Sequence, residues 1–145
     1  MKDTARLNIY GLTAEQLTSP LGVGPRPRFS YKVEGGQPGE CQKSVCIRVY
    51  SGAEAYEKGN ADMWDCTLET GSSTLIEYDG APLEPFCRYF WTAEVISDTG
   101  RSSVSSPESF VTGDFLPWRA QFMGPEQFSY ARNRALYCRA DFTLE

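Results

Sequence analysis

Pairs of acidic side chains are the first residues in this sequence that could do chemistry. Two carboxylates held about 5–9.5 Å apart can cleave a glycosidic bond, and the chain has 19 acidic residues. The pairs to consider are Asp62 with Asp65, Glu69 with Glu77, and Glu94 with Asp98. Glu94 lies on the outward face of a predicted strand and the others fall in or beside turns. A tuned pKa requires burial or a close like charge, so we expect solvated surface acids and no catalytic residue.

Other reactive groups are sparse. The sequence has no histidine, which removes the base of a nucleophilic triad and a common zinc ligand. Gly22-Val23-Gly24-Pro25 lacks the Lys-Ser/Thr ending of a phosphate loop, so we expect neither a cofactor nor a metal. The five cysteines contain no Cys-x-x-Cys motif; they are Cys41, Cys46, Cys66, Cys87 and Cys138. An odd count without paired spacing favours free thiols in a reducing compartment. Because the N-terminus lacks an apolar signal stretch, we expect a cytoplasmic location.

Charge and hydropathy limit the binding partners. A net charge of −5 argues against nucleic acid, because phosphate neutralisation needs clustered Lys and Arg. No run of 18 apolar residues is present, so we expect no membrane span. Exposed aromatic rings could stack on a sugar. The first candidates are Trp64, Trp91 and Trp118, and the secondary candidates are Tyr10, Tyr50 and Tyr56. We expect Trp91 in the core, Trp64 half-buried on a strand and Trp118 packed between domains, which leaves carbohydrate contact as the minor interpretation.

Period-two alternation of apolar residues dominates the chain. The strongest run alternates Tyr89, Trp91, Ala93 and Val95 with outward residues, and a second run contains Val45, Ile47 and Val49. Weaker strands are predicted at residues 7–10, 28–33, 63–66, 74–78, 109–112 and 135–143. Clusters rich in Gly and Pro separate them, at residues 22–27, 35–39, 59–62, 79–82, 98–101 and 102–107. The one helix candidate is residues 53–58. About seven short strands between turns predict an all-β sandwich.

A domain boundary is predicted near Gly113. Residues 1–113 hold the sandwich pattern, whereas residues 114–145 resemble a linker followed by the first one or two strands of a following domain. This appendage has too few apolar residues for a second core and must pack on the sandwich, on a partner chain or on that domain. A lone strand at residues 135–143 leaves an unpaired edge. We expect this strand to add to its own sandwich or to exchange with a second copy in a strand-mediated homodimer.

One local motif is typical of sandwich domains. Leu83-x-Pro85-x-x-x-Tyr89 leads into the strongest strand, with the spacing found in fibronectin type III modules. In such a tyrosine corner the phenol group bonds to backbone a few residues upstream and fixes the crossing between sheets. The alternative is that Tyr89 is an ordinary core aromatic. Its offset from Pro85 favours the corner.

A longer series of motifs resembles a known family. These motifs are Ser19-Pro20-Leu21-Gly22, Pro27-Arg28-Phe29-Ser30-Tyr31, Trp64-Asp65-Cys66-Thr67, Tyr78-Asp79-Gly80, Tyr89-Phe90-Trp91, Asp98-Thr99-Gly100, Phe110-Val111-Thr112-Gly113 and Trp118-Arg119-Ala120-Gln121-Phe122-Met123. Their order and spacing resemble those of the N-terminal fibronectin/immunoglobulin-like domain of bacterial α-L-rhamnosidases, which are large multidomain glycoside hydrolases. Tyr31 and Phe122 stand where the family has Trp, and Cys46 and Cys66 replace a Tyr and a Ser, which suggests a repacked core.

The resemblance implies a role without catalysis. In such enzymes the catalytic carboxylates lie on a separate helical barrel further along the chain, and none of the matched motifs is catalytic. The leading hypothesis is an accessory module that packs against neighbouring domains of the same polypeptide, with Trp118 and Phe122 as docking residues. A free-standing carbohydrate-binding module and a fibronectin-type protein-interaction module remain the alternatives.

Overall fold

Alternating strands account for nearly all the regular structure. The computed structural model describes residues 6–117, 119–121, 139, 141 and 143. Within these residues the elements are β1 Asn8–Ala14, β2 Leu21–Val23, β3 Arg28–Glu34, β4 Gln42–Tyr50, α1 Ala53–Glu57, β5 Trp64–Leu68, β6 Ile76–Glu77, β7 Arg88–Ser97, β8 Ser102–Val104 and β9 Glu108–Thr112. No helix among them is long and apolar enough to cross a membrane. The predicted all-β class is confirmed.

The strands form two sheets that face each other. The smaller sheet has the order β1-β3-β6 and the larger has the order β2-β9-β7-β4-β5, with β8 paired to β7. Every pairing between these strands is antiparallel except that of β2 with β9, which is parallel. The first strands of the chain therefore divide between the layers, β1 joining the small sheet and β2 the large one. This arrangement is an immunoglobulin-like sandwich.

The core is built by the inward residues of β7 and β4. Trp91 and Ala93 are fully buried in β7, and Val45 and Ile47 are fully buried in β4, as the alternation predicted. Across the sandwich, Phe29 of β3 stacks on Trp91 with ring centroids 4.4 Å apart. The Nε1 atom of Trp91 is buried without a hydrogen-bond partner among the described residues. An unpaired buried donor costs about 1–3 kcal/mol, which packing of the large ring in the core must offset.

Two strands arise where the sequence predicted turns. Strand β2 overlaps the start of the turn predicted at residues 22–27. It forms because the chain around β9 pairs with it: Val111 N–H donates to Pro20 O and Gly113 N–H donates to Val23 O, both at 2.9 Å. Strand β8 lies within the turn predicted at residues 102–107. Both strands have only three residues, so tertiary pairing rather than local sequence defines them.

Strands β8 and β9 both pair with β7, each along a different part of its length. β8 pairs with the end of β7 and β9 with its beginning, and residues 105–107 lie between them. Ser105 replaces a missing ladder bond, since its hydroxyl oxygen accepts the Ala93 N–H at 3.0 Å while its own N–H donates to Ala93 O at 2.9 Å. Pro107 has no N–H to contribute. At this break the backbone groups of Ala93 therefore keep hydrogen-bond partners.

Other strands begin or end at residues that differ from the predicted ones, and local backbone conformation explains the differences. Strand β1 continues past the predicted residue 10 because a bulge at Gly11, with φ +60°, carries the strand on with a shifted register. The strand predicted at 74–78 contracts to Ile76–Glu77, since Leu75 adopts φ +54°. Of the strand predicted at 135–143 the structure describes only residues 139, 141 and 143, so that prediction, with the exchange or homodimer that it implies, lies outside the described residues.

The loops collect at two ends of the sandwich. We call the end where β9 finishes and the chain continues the exit pole; it contains residues 24–27, 78–87 and 113–117. The opposite pole contains residues 35–41, 69–75 and 98–101. These assignments follow from the strand register, because Arg88 at the start of β7 pairs with Val111 near the end of β9.

A carboxylate joins two loops at the opposite pole. Glu40 accepts a hydrogen bond from Gln37 N–H at 2.8 Å and from the Thr99 hydroxyl at 2.6 Å, and it forms an ion pair with Arg101 at 3.7 Å. Hydrogen bonds with the Ser97 and Thr99 hydroxyl groups lower the pKa of Glu40 to about 2. The carboxylate is therefore ionised in the folded protein well into the acid range.

Candidate interdomain docking surface

Most of the acids in the pairs that could have cleaved a sugar bond are engaged in structural contacts. Arg48 on β4 lies between Glu94, at 2.9 Å, and Asp65, at 3.6 Å, on the outer face of the large sheet. Asp62 accepts the Ser51 N–H at 2.9 Å. Glu77 pairs with Arg26 at 3.6 Å, Asp98 accepts the Cys41 N–H at 3.3 Å, and Glu69 is exposed. Among the described residues no cluster of His, Cys, Asp or Glu could hold a metal ion.

The turn that leads into β7 fixes the geometry of the exit pole. The phenol oxygen of Tyr89 accepts the Glu84 N–H at 2.8 Å, five residues upstream. Tyr89 and Leu83 are buried, whereas Pro85 is exposed. Burial raises the pKa of Tyr89, so the phenol stays neutral as a hydrogen-bonding group. The stabilising role of this corner stays a prediction.

Thr112 completes the same turn, a role that the motif Phe110-Val111-Thr112-Gly113 does not by itself indicate. Its side chain is buried at the end of β9, where the hydroxyl donates to Glu84 O at 2.6 Å and accepts the Cys87 N–H at 2.9 Å. One hydroxyl thus ties both ends of the turn to the strand from which the chain leaves. Only the register of β7 against β9 reveals this role.

Tyr78 and Gly80 hold the neighbouring loop. The Tyr78 hydroxyl donates to Ala81 O at 2.6 Å, and burial raises the pKa of this phenol to about 12. A Cβ atom on Gly80 would lie 2.4 Å from Met63 O and 2.7 Å from Trp64 Cβ. The Tyr-Asp-Gly motif therefore requires glycine for close packing.

Exposed apolar side chains gather at this rigid pole. Phe86 is 71% exposed and Leu116 is 67% exposed. Leu21, 77% exposed, extends the group along the outer face of the large sheet, where it lies opposite Val111. A shallow cavity of about 260 Å³ lies in the same region, lined in part by Pro25, Pro82 and Leu83. We call Leu21, Phe86 and Leu116 the exit-pole patch.

Phe86 is the most informative member of the patch. Its backbone lies in the left-handed region with φ +57°, a conformation that costs a residue with a Cβ about 1–3 kcal/mol. The strained turn holds a large apolar ring in water instead of folding it into the core. Such an outward aromatic is typical of a surface that contacts another protein domain.

The aromatic residues considered for sugar stacking fall in different places. Trp91 is in the core, and Trp64 is half-buried against Phe29 and Tyr78. Tyr50 is buried and packs edge-on against Tyr56 of α1 at 5.3 Å. Tyr10 remains 43% exposed. The predicted docking residues Trp118 and Phe122 lie outside the described residues, so docking by them stays a prediction.

Comparisons with known proteins agree with this architecture. The chain is 32% identical over 126 residues to an α-L-rhamnosidase of Streptomyces avermitilis, an alignment that covers 85% of this chain and 11% of that protein. It is 29% identical over 99 residues to an α-L-rhamnosidase of Formosa agariphila, covering 66% of this chain and 10% of that protein. The chain thus spans about a tenth of the length of these relatives.

Solved structures show the same fold. The Streptomyces avermitilis α-L-rhamnosidase, solved with L-rhamnose, superposes with a TM-score of 0.70 at 31% identity, over 76% of this chain and 11% of that one. The α-L-rhamnosidase from Dictyoglumus thermophilum gives 0.70 at 29% identity, over 74% of this chain and 12% of that one. The family described as "Rha78A-like, N-terminal immunoglobulin domain" matches residues 9–115. This chain therefore belongs to the family of Rha78A-like N-terminal immunoglobulin domains.

Proposed function

We propose that this chain serves as a non-catalytic accessory module of an α-L-rhamnosidase-like glycoside hydrolase, and that its exit pole packs against a neighbouring domain of the same polypeptide. The observation that carries the proposal is the exposure of Phe86 and Leu116 at the pole where the chain leaves the sandwich. The relatives, about nine times longer than the aligned part, support it. The free thiols Cys41, Cys46, Cys66 and Cys87 fit our further proposal of a reducing, cytoplasmic compartment.

The mechanism is positional. Tyr89 and Thr112 hold the turn that carries Phe86, so this ring of the exit-pole patch is presented with little backbone freedom left to lose on docking. Full burial of an apolar side chain of this size contributes about 1.5–3 kcal/mol. A rigid patch of this kind therefore supplies several kcal/mol to a contact between domains and helps hold a catalytic domain in place.

The complete reading frame that encodes this chain tests the proposal. We expect it to continue into a helical barrel, and deletion of residues 1–117 should lower the thermal stability of that longer enzyme and its rhamnosidase activity. Phe86→Ser should reproduce part of the stability loss in the longer enzyme. Leu75→Ser is the matched control, because Leu75 is also exposed and left-handed but lies in the loop just before β6, outside the exit pole. A reading frame that stops at Glu145, or a deletion without effect, would refute the accessory role.

A further inference from the structure

A groove lies along the free edge of β1, away from the exit pole. It has a volume of about 340 Å³ and is bounded by residues 8–12 on one side and by Ser106, Pro107 and Glu108 on the other. Ile9 and Leu12 in its wall belong to the buried core. The groove therefore lies where the edge of the core meets polar side chains, and its volume of about 340 Å³ is enough for a small molecule.

Tyr10 is the aromatic residue among those that line this groove. It is 43% exposed, while the next residue, Gly11, has φ +60° and carries no side chain. The bulge at this point shifts the register between Tyr10 and Thr13. In the described part of the chain the Tyr10 hydroxyl makes no hydrogen bond. Tyr10 is thus held by a strand beside its cross-strand neighbour Lys32, whose side chain lies over Gly11, and its hydroxyl is available to a ligand.

Two polar side chains beside the ring are held in place by contacts outside the groove. Asn8 donates from Nδ2 to Glu34 at 3.0 Å. Glu108 accepts on Oε1 from the Ser109 N–H at 3.0 Å and from the Ser19 hydroxyl. Within the described residues, the amide oxygen of Asn8 and Oε2 of Glu108 have no partner. Groups fixed in advance lose little entropy when they bind a ligand.

The shape of the edge argues against a peptide strand as the occupant. A strand that adds to a sheet needs evenly spaced free N–H and C=O groups. The bulge at Gly11 breaks that spacing in β1, and bulges are one of the ways in which proteins protect an edge. Pro107 has no N–H to offer from the other side. The carboxylate of Glu108 disfavours an anion, and together with the amide oxygen of Asn8 it offers acceptors for the hydroxyl groups of a neutral ligand.

We propose that this groove binds one neutral pyranose residue, with the sugar ring on Tyr10 and its hydroxyl groups on Asn8 and Glu108. A 6-deoxyhexose fits best, because its methyl group can lie on the apolar side of Pro107. The choice of sugar rests on the function proposed above, whereas the existence of the subsite rests on the groove alone. The module would then contribute a sugar contact of its own.

Amide chemical shifts of the 145-residue chain during titration with methyl α-L-rhamnopyranoside test the inference. We expect saturable shifts confined to residues 8–12 and 106–109, with a dissociation constant on the order of millimolar. Tyr10→Ala should weaken binding roughly tenfold, a difference of about 1.4 kcal/mol, while Tyr10→Phe keeps most of it. Phe86→Ala is the control, since it removes an exposed aromatic from the exit pole and should leave the titration unchanged.

Two results would overturn the inference: shifts that do not saturate, or binding that survives Tyr10→Ala. Because the titration uses the chain by itself, its outcome does not depend on the exit pole. A reading frame that ends at Glu145 would refute the accessory role and leave the subsite standing. Failure of the titration would remove the subsite and leave the docking surface untouched.

Discussion

Removing one oxygen atom from Tyr89 tests whether the corner stabilises the exit pole. Tyr89 is 3% exposed, and its hydroxyl oxygen is the acceptor for the Glu84 N–H at 2.8 Å. In Tyr89→Phe the ring still packs on Phe110, which it stacks at 5.5 Å, but the Glu84 N–H loses its partner. A hydrogen bond lost in this way costs about 1–2 kcal/mol. The apolar contribution stays nearly constant, so the hydrogen bond accounts for the change.

Urea and thermal unfolding followed by circular dichroism measure this loss. For a domain of this size we expect the midpoint temperature to fall by about 3–8 °C, with an unchanged denaturant slope because the buried surface is the same. Tyr10→Phe is the matched control, since its hydroxyl makes no hydrogen bond in the described part of the chain. If Tyr89→Phe unfolds at the same midpoint as Tyr10→Phe and the unmodified chain, the corner contributes nothing and the reasoning fails.

Three further perturbations follow from the same contacts. The Glu40 pKa of about 2 lies below its ordinary 4.5, so the stabilisation by Glu40 is complete above pH 4.5 and is lost as the pH falls towards 2. In a pH series of thermal unfolding, the midpoint temperature of Glu40→Gln should therefore fall less steeply in acid than that of the unmodified chain. An equally steep fall would contradict the network around Glu40. Thr112→Val removes the bonds to Glu84 O and Cys87 N–H and should lower the free energy of unfolding in urea by about 2–3 kcal/mol. Thr112→Ser should keep most of that stability, because it keeps the hydroxyl. Equal losses in the two variants would mean that the hydroxyl does not stabilise the turn. Gly80→Ala forces a Cβ against Met63 O and should cost about 1–3 kcal/mol; a neutral result would mean that the loop moves freely.

The parts of the fold that the sequence predicted are those with strong local patterning. The alternation from Tyr89 to Val95 and from Val45 to Val49 placed β7 and β4 correctly, because each of these strands buries one face whatever its partners are. Strands β2 and β8 were missed because three residues carry too little pattern. They form because they hydrogen-bond to β9 and β7, and a short stretch of sequence does not include these partners.

The exit-pole patch could not be predicted from the sequence either. The motif Leu83-x-Pro85-x-x-x-Tyr89 identified the turn, but a Phe at position 86 would ordinarily be assigned to the core. Its left-handed backbone and its exposure belong to a turn whose two ends are bonded to Thr112, a contact between residues distant in the sequence. Likewise, the sequence offered Glu94 and Asp65 as free acids, whereas the register of β4 places Arg48 between them.

Hydrogen exchange at the exit pole is the most direct test of the docking role. The measurement compares amide exchange for residues 82–87 and 113–117 in the 145-residue chain and in the enzyme encoded by the complete reading frame. If the exit pole docks a neighbouring domain, these amides exchange more slowly in the longer enzyme, while residues 35–41 at the opposite pole are unchanged. Equal exchange rates at the exit pole in both proteins would contradict the proposed contact.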